Sequence, residues 1–184
     1  PTSRAHIVIP IDDHDIQQTH NRLATTQCLN DSDIDLFLHL IRSTHPHTKG
    51  LTDTLELARQ AQQPPASPLH PLEAEGIYII NVNANHWIAF SSQYNTTTTS
   101  LHISMADSIA TEPFSPSHSK SIRDLHALRY ANPSTTHLTA LNVHQQDERT
   151  TPTDLYTDCG LLAITFATSF AMNICPSTLQ ISQH

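Results

Sequence analysis

Asp158-Cys159-Gly160 opens the most apolar helical stretch of the chain, Leu161 to Met172. A cysteine at that point sits where the positive end of a helix dipole favours thiolate over thiol. Upstream come His86-Trp87 and Asp107-Ser108, each at the edge of a predicted strand. Thiol, imidazole and carboxylate together form the set used in nucleophilic acyl transfer. The thiolate attacks, the imidazole moves the proton, and the carboxylate holds the ring in one tautomer and stabilises the imidazolium. Gly160, with no side chain, leaves room for a substrate backbone beside the sulfur. Each of these residues alone reads more simply as packing or turn chemistry. Their ordered occurrence in matching structural contexts favours a cysteine hydrolase.

Those residues need a scaffold, and the pattern supplies one. Asn30-Asp31-Ser32 offers caps to a helix over about 31–43, whose apolar face is made by Ile34, Leu36, Phe37, Leu38, Leu40 and Ile41. A second helix is predicted over about 52–63. The segment from Gln63 to Pro71 carries four prolines, which remove main-chain donors and fix φ, so it is a loop. Residues 1–27 read as polar apart from a strand-like Ile7-Val8-Ile9. Strands are predicted at Ile77–Val82, His86–Ser91, Leu101–Ala106 and Leu138–Val143, with a helix at about 117–131 before the last of them. The final helix starts at Cys159. Helices, a meander, a helix, a strand and a buried helix make an α+β domain with a mainly antiparallel central sheet flanked by helices.

A hairpin centred within Asn95–Thr98 pairs His86 with Asp107, Ile88 with Met105 and Phe90 with Ile103. Strand side chains alternate, so these six share a face. Directly opposed residues have Cβ atoms about 4.5–5.5 Å apart, within reach of a His–Asp hydrogen bond. A slip of two residues preserves the faces. This apolar face is the expected bed for the final helix, which would carry Cys159 to His86.

The totals narrow the functions. A chain of 184 residues is expected to form a single domain, 1–184. The start at Pro1 suggests a domain excised from a longer protein or a processed product. No run approaches the roughly 18 apolar residues of a membrane span, and the first residues do not read as a signal peptide. A net charge of −8 with only nine Lys and Arg disfavours nucleic acid, whose phosphates require clustered cations. The three cysteines, Cys28, Cys159 and Cys175, cannot all pair, which points to a reducing, intracellular compartment. Fourteen histidines are scattered. His45-Pro46-His47 is their only close pair, and no metal or other cofactor is expected.

The set Asn85-His86-Trp87-Ile88, Ala106-Asp107-Ser108 and Asp158-Cys159-Gly160-Leu161-Leu162 resembles the Ulp1/SENP-type ubiquitin-like-protein-specific cysteine proteases, which belong to the papain-like class. Cys28-Leu29-Asn30-Asp31 is similar to that family's Trp-Leu-Asn-Asp lead-in to its first helix. The resemblance spans about residues 27–172. It implies a papain-like fold and a nuclear or cytoplasmic thiol protease or isopeptidase. Such an enzyme cleaves after the Gly-Gly tail of a ubiquitin-like protein, deSUMOylation being the type reaction. His86 would be the base, Asp107 its orienter and Cys159 the nucleophile, with Trp87 walling the tunnel that admits the tail. The implied partners are a ubiquitin-like protein or its conjugates, met by a monomer. Two positions depart from the family. Cys28 stands where it has Trp, and Thr153 stands about six residues before the cysteine, where it has an oxyanion-stabilising Gln. Gln146, with Gln145 as second choice, follows the last strand as that Gln does, with 147–157 as an insertion. Two alternatives stay open: a viral or mobile-element polyprotein protease, and a degenerate protease kept as a binding module.

Overall fold

A computed structural model describes residues 12–25, 27–55, 57, 75–82, 86–109, 135–143 and 158–181. Helices α1 (Asp13–Ala24) and α2 (Asp31–Thr44) precede strands β1 (Gly76–Val82), β2 (His86–Asn95), β3 (Ser100–Ala106) and β4 (Thr135–Ala140). Helix α3 (Cys159–Ala171) and a 3-10 turn at Pro176–Thr178 follow. The architecture is α+β, as the sequence implies. The expected strand at Ile7–Ile9, the helix at 117–131, the proline-rich loop and most of the helix at 52–63 lie outside the described residues.

Local chemistry explains the helix boundaries. Asn30 caps α2 through its side-chain oxygen, which accepts the Asp33 N–H at 3.1 Å, while Asp33 Oδ2 accepts the Asn30 N–H at 2.9 Å. This reciprocal pair satisfies two amides that the helix cannot, and losing such a cap costs about 1 kcal/mol. Of the expected apolar face, Ile34, Leu38 and Ile41 turn inward at i, i+4 and i+7, Leu36 and Phe37 are half-buried, and Leu40 is exposed. Helix α1 occupies a segment whose polar composition hides it. Asp12 caps it by accepting the Asp15 N–H at 2.8 Å, and Thr19 is its buried residue.

The sheet order is β1-β2-β3-β4. The first two pairings are antiparallel and the third, β3 with β4, is parallel. A parallel neighbour needs a long crossover, which the 28 residues from 107 to 134 can supply. Gly50 forms an isolated parallel bridge with Ile77, tying the chain after α2 to β1. Its φ of +79° and its contact with the Ile77 backbone explain the glycine there.

Two expectations about the hairpin are corrected. The observed register pairs Ala89 with Ala106 and Phe90 with Met105, so His86 is not directly opposite Asp107. The turn decides this. Thr96–Thr99 form the loop, and the Asn95 side chain accepts the N–H groups of Thr97 and Thr98, which shifts the pairing by two residues. Helix α3 also packs on the opposite face from the one expected. It shares a core with Ile77, Ile79, Trp87, Ala89 and Ala106, and contributes Leu162, Ala163, Phe166 and Ala167. Alanines on both sides let helix and sheet approach closely, so small residues make the better bed here. Ile88, Phe90, Ile103 and Met105 form a second core on the other face with Leu57, Tyr78 and Val82. With both faces buried, alternation along β2 says little about which face takes the helix.

Candidate active site

The sheet end next to the α3 N-terminus gathers three of the residues singled out in the sequence. His86 is the first residue of β2 and pairs with Val82 of β1. Asp107 follows the last residue of β3, and one of its carboxylate oxygens accepts the Ile109 N–H at 2.9 Å, bending the chain away from the sheet. The two-residue shift makes His86 and Asp107 diagonal neighbours. Diagonal pairs stand about 7–8 Å apart, still within reach of long side chains. The gap closes to 2.7 Å between His86 Nε2 and Asp107 Oδ1. Both side chains are nearly inaccessible, 7% and 1% exposed.

Cys159 is buried at the first position of α3. Asp158 precedes it, and its carbonyl accepts the Leu162 N–H at 2.9 Å, so the helix starts at the cysteine itself. The amides of the first turn then have no acceptor within the helix, leaving a positive end beside the sulfur. Burial pushes the His86 imidazolium down. Hydrogen bonding to Asp107, hydrogen bonding to Cys159 and electrostatic attraction towards both push it up more strongly, to about 9. The ring is thus held protonated at neutral pH between a carboxylate and a sulfur, an arrangement suited to stabilising a thiolate and handing on a proton.

Trp87 points to the α3 side of the sheet, and its indole N–H donates to the Leu29 carbonyl at 3.0 Å. Gly160 lies against that contact. A Cβ on it would stand 3.0 Å from Leu29 Cβ and 3.3 Å from Trp87 Cδ1. Trp87 and Gly160 therefore brace the helix start next to Cys159. Cys28, one residue before Leu29, is exposed, as is Cys175, and none of the three cysteines is in a disulfide. Gln146 and Gln145, expected to stabilise an oxyanion, lie outside the described residues, as does Thr153.

Sequence reasoning missed Asp33. It is fully buried and accepts the Thr19 hydroxyl at 2.6 Å, the Arg22 Nε–H at 2.7 Å and the Asn30 N–H at 2.9 Å. Burial raises its carboxyl pKa, but these hydrogen bonds and the Arg22 charge outweigh burial and leave it below the usual range. Its place three residues after Asn30 marks a capping partner. Nothing in that spacing reveals its burial. Among the described residues no group of three or more His, Cys, Asp or Glu could hold a metal ion, and no helix is long and apolar enough to cross a membrane.

The fold is that of the SUMO protease Ulp1. A Ulp1 structure with the catalytic cysteine oxidised to a sulfenic acid matches with a TM-score of 0.57 at 15% identity, over 96% of this chain and 90% of that one. Another, with that cysteine oxidised to a sulfonic acid, gives 0.59 at 16% identity, over 95% and 90%. At such identities the likeness establishes the fold. No family model matches the sequence, and no curated protein does.

Proposed function

We propose that this chain is a thiol peptidase that cleaves after the Gly-Gly tail of a ubiquitin-like protein or its conjugates. The observation that carries the reading is the His86 ring, held at 2.7 Å by Asp107 and raised to about 9 with Cys159 as its second partner. The Ulp1-like fold supports it, since the proteins it resembles carry a catalytic cysteine.

In this mechanism Cys159 Sγ attacks the carbonyl carbon of the terminal glycine. With Nε2 engaged by Asp107, His86 Nδ1 is the atom that exchanges protons with the sulfur and the leaving group. The tetrahedral oxyanion is met by main-chain N–H groups at the α3 start and by the Gln146 amide, or that of Gln145. One such donor is worth about 10²–10³ in rate. The C–N bond breaks as His86 protonates the leaving amine, giving a thioester on Cys159. His86 then takes one proton from water, whose oxygen attacks the thioester carbonyl. The C–S bond breaks, the Cys159 thiolate is regenerated beside the imidazolium, and the product leaves as its carboxylate with the second proton passing to solvent. Trp87 and Gly160 flank the slot that receives the tail. The protein acts as a monomer in a reducing, nuclear or cytoplasmic compartment.

The test is a panel of ubiquitin-like precursors and Gly-Gly-linked conjugates, set beside peptides from candidate polyprotein junctions. Release of the tail by the wild type, lost in Cys159→Ala, is expected. Cleavage that persists in Cys159→Ala overturns the assignment. Cleavage of junction peptides alone makes the chain a polyprotein-processing enzyme, and binding without turnover makes it a recognition module.

A further inference from the structure

We infer that Asp33, pinned between α1 and the lead-in to α2, is a positioning residue for the Cys159 site. The inference rests on the reading of that site as a peptidase centre. Four observations lead to it. First, Asp33 is 0% exposed, whereas a helix-capping carboxylate works equally well at the surface. Burying a carboxylate is costly unless it is hydrogen-bonded, and three donors converge on this one. Second, two of its donors, Thr19 and Arg22, belong to α1. Among the described residues that helix is held chiefly there, because Thr19 is its buried residue while Ile16 and Leu23 are 49% and 42% exposed. Asp33 is therefore the pin on which α1 closes.

Third, the remaining donor is the Asn30 N–H, and Asn30 returns a hydrogen bond to the Asp33 amide. These bonds fix the backbone immediately after Leu29. Fourth, Leu29 carries the contacts that reach the site. Its carbonyl takes the Trp87 indole N–H, and its side chain fills the space beside Gly160. Trp87 follows His86 in β2, and Gly160 follows Cys159 in α3. One continuous path of hydrogen bonds and packed atoms thus runs from α1 through Asp33 and Leu29 to the residues next to base and nucleophile. The path ends on both partners at once, so moving Leu29 changes their separation, and an ångström of misplacement costs about a hundredfold in rate.

Trp87 is the only tryptophan of the chain, which makes the path directly observable. In Asp33→Asn, an amide NH₂ faces donors and the pin is lost. Acrylamide quenching of Trp87 is expected to rise at least about twofold as the segment opens. Turnover is expected to fall about 10- to 100-fold. Arg22→Ala, which leaves Asp33 with its other two donors, should move both readouts in the same direction and less far. Arg22→Lys, which keeps a cation near Asp33, should restore most of the loss. Ile103→Ala is the control. It removes core packing on the sheet face away from α3 and should leave Trp87 quenching as in the wild type. If Asp33→Asn fails to fold, Arg22→Ala decides. Wild-type quenching in the folded pin variants overturns the inference, as does equal quenching in Ile103→Ala. If the wild type cleaves nothing in the panel, the peptidase reading fails, and the quenching comparison still decides whether Asp33 positions Trp87.

Discussion

Replacing Asp107 by Asn tests the electrostatics of the site while nearly preserving its shape. The rise of His86 from 6.5 to about 9 is worth about 3 kcal/mol in favour of the imidazolium at 1.36 kcal/mol per unit. Burial works against that rise, so the attraction of Asp107 and Cys159 together exceeds it. Asn keeps an acceptor for the Ile109 N–H but carries no charge. In the variant His86 should titrate well below its wild-type value, because only Cys159 then opposes burial. The sign follows from linkage. A group raised in the folded state contributes its stability in full below its unfolded value of 6.5, and that contribution is lost as pH rises through about 9. Wild type should therefore exceed Asp107→Asn at pH 6 by most of this, up to about 3 kcal/mol, and most of the difference should vanish by pH 10. Urea unfolding followed by Trp87 emission measures the difference, and imidazole ¹⁵N shifts give the His86 midpoint. A wild-type midpoint at 6.5, or a stability gap that is constant from pH 6 to 10, refutes the reasoning.

Other outcomes follow from the same geometry. Cleavage should lose activity on the alkaline side as His86 deprotonates near pH 9, a limb that a pH–kcat/KM profile shows directly. Gly160→Ala places a Cβ 3.0 Å from Leu29 Cβ, so Leu29 and Trp87 must shift. We expect a loss of about 1–3 kcal/mol by urea unfolding, the usual cost of overpacking, with a lower Cys159 labelling rate. Gly50→Ala brings a Cβ to 2.4 Å from the Ile77 carbonyl at a φ of +79°. The bridge to β1 should break at a cost of at least about 2 kcal/mol, read by the urea midpoint. Phe166→Ala, in the core beneath α3, should cost about 3–5 kcal/mol in the same assay.

Much of this arrangement is legible in the residues. The caps at Asn30, the apolar spacing of α2 and the strand runs around His86 and Leu101 locate their elements within a few positions. Asp158-Cys159-Gly160 marks the start of α3. What escaped the pattern has physical reasons. Helix α1 lacks an apolar face because a polar pin, Thr19 and Arg22 on Asp33, takes the place of hydrophobic packing. The hairpin register depended on Asn95 closing a turn within four consecutive threonines, and alternation cannot distinguish registers two residues apart. The pattern points to the wrong helix-bearing face because a bulky row looks like the core, whereas α3 packs on the face whose alanines let it come close. His86 and Asp107 are not directly opposed in the observed register, yet their side chains meet along the diagonal.

The central claim is that His86 activates the Cys159 thiol. Its most direct test is the iodoacetamide alkylation rate of each cysteine at pH 7, resolved by peptide mass spectrometry, with and without His86→Ala. If His86 activates the thiol, the Cys159 rate falls at least about tenfold in His86→Ala. The exposed Cys28 and Cys175 should react at unchanged rates and serve as internal references. A Cys159 rate unaffected by the loss of His86 contradicts the account.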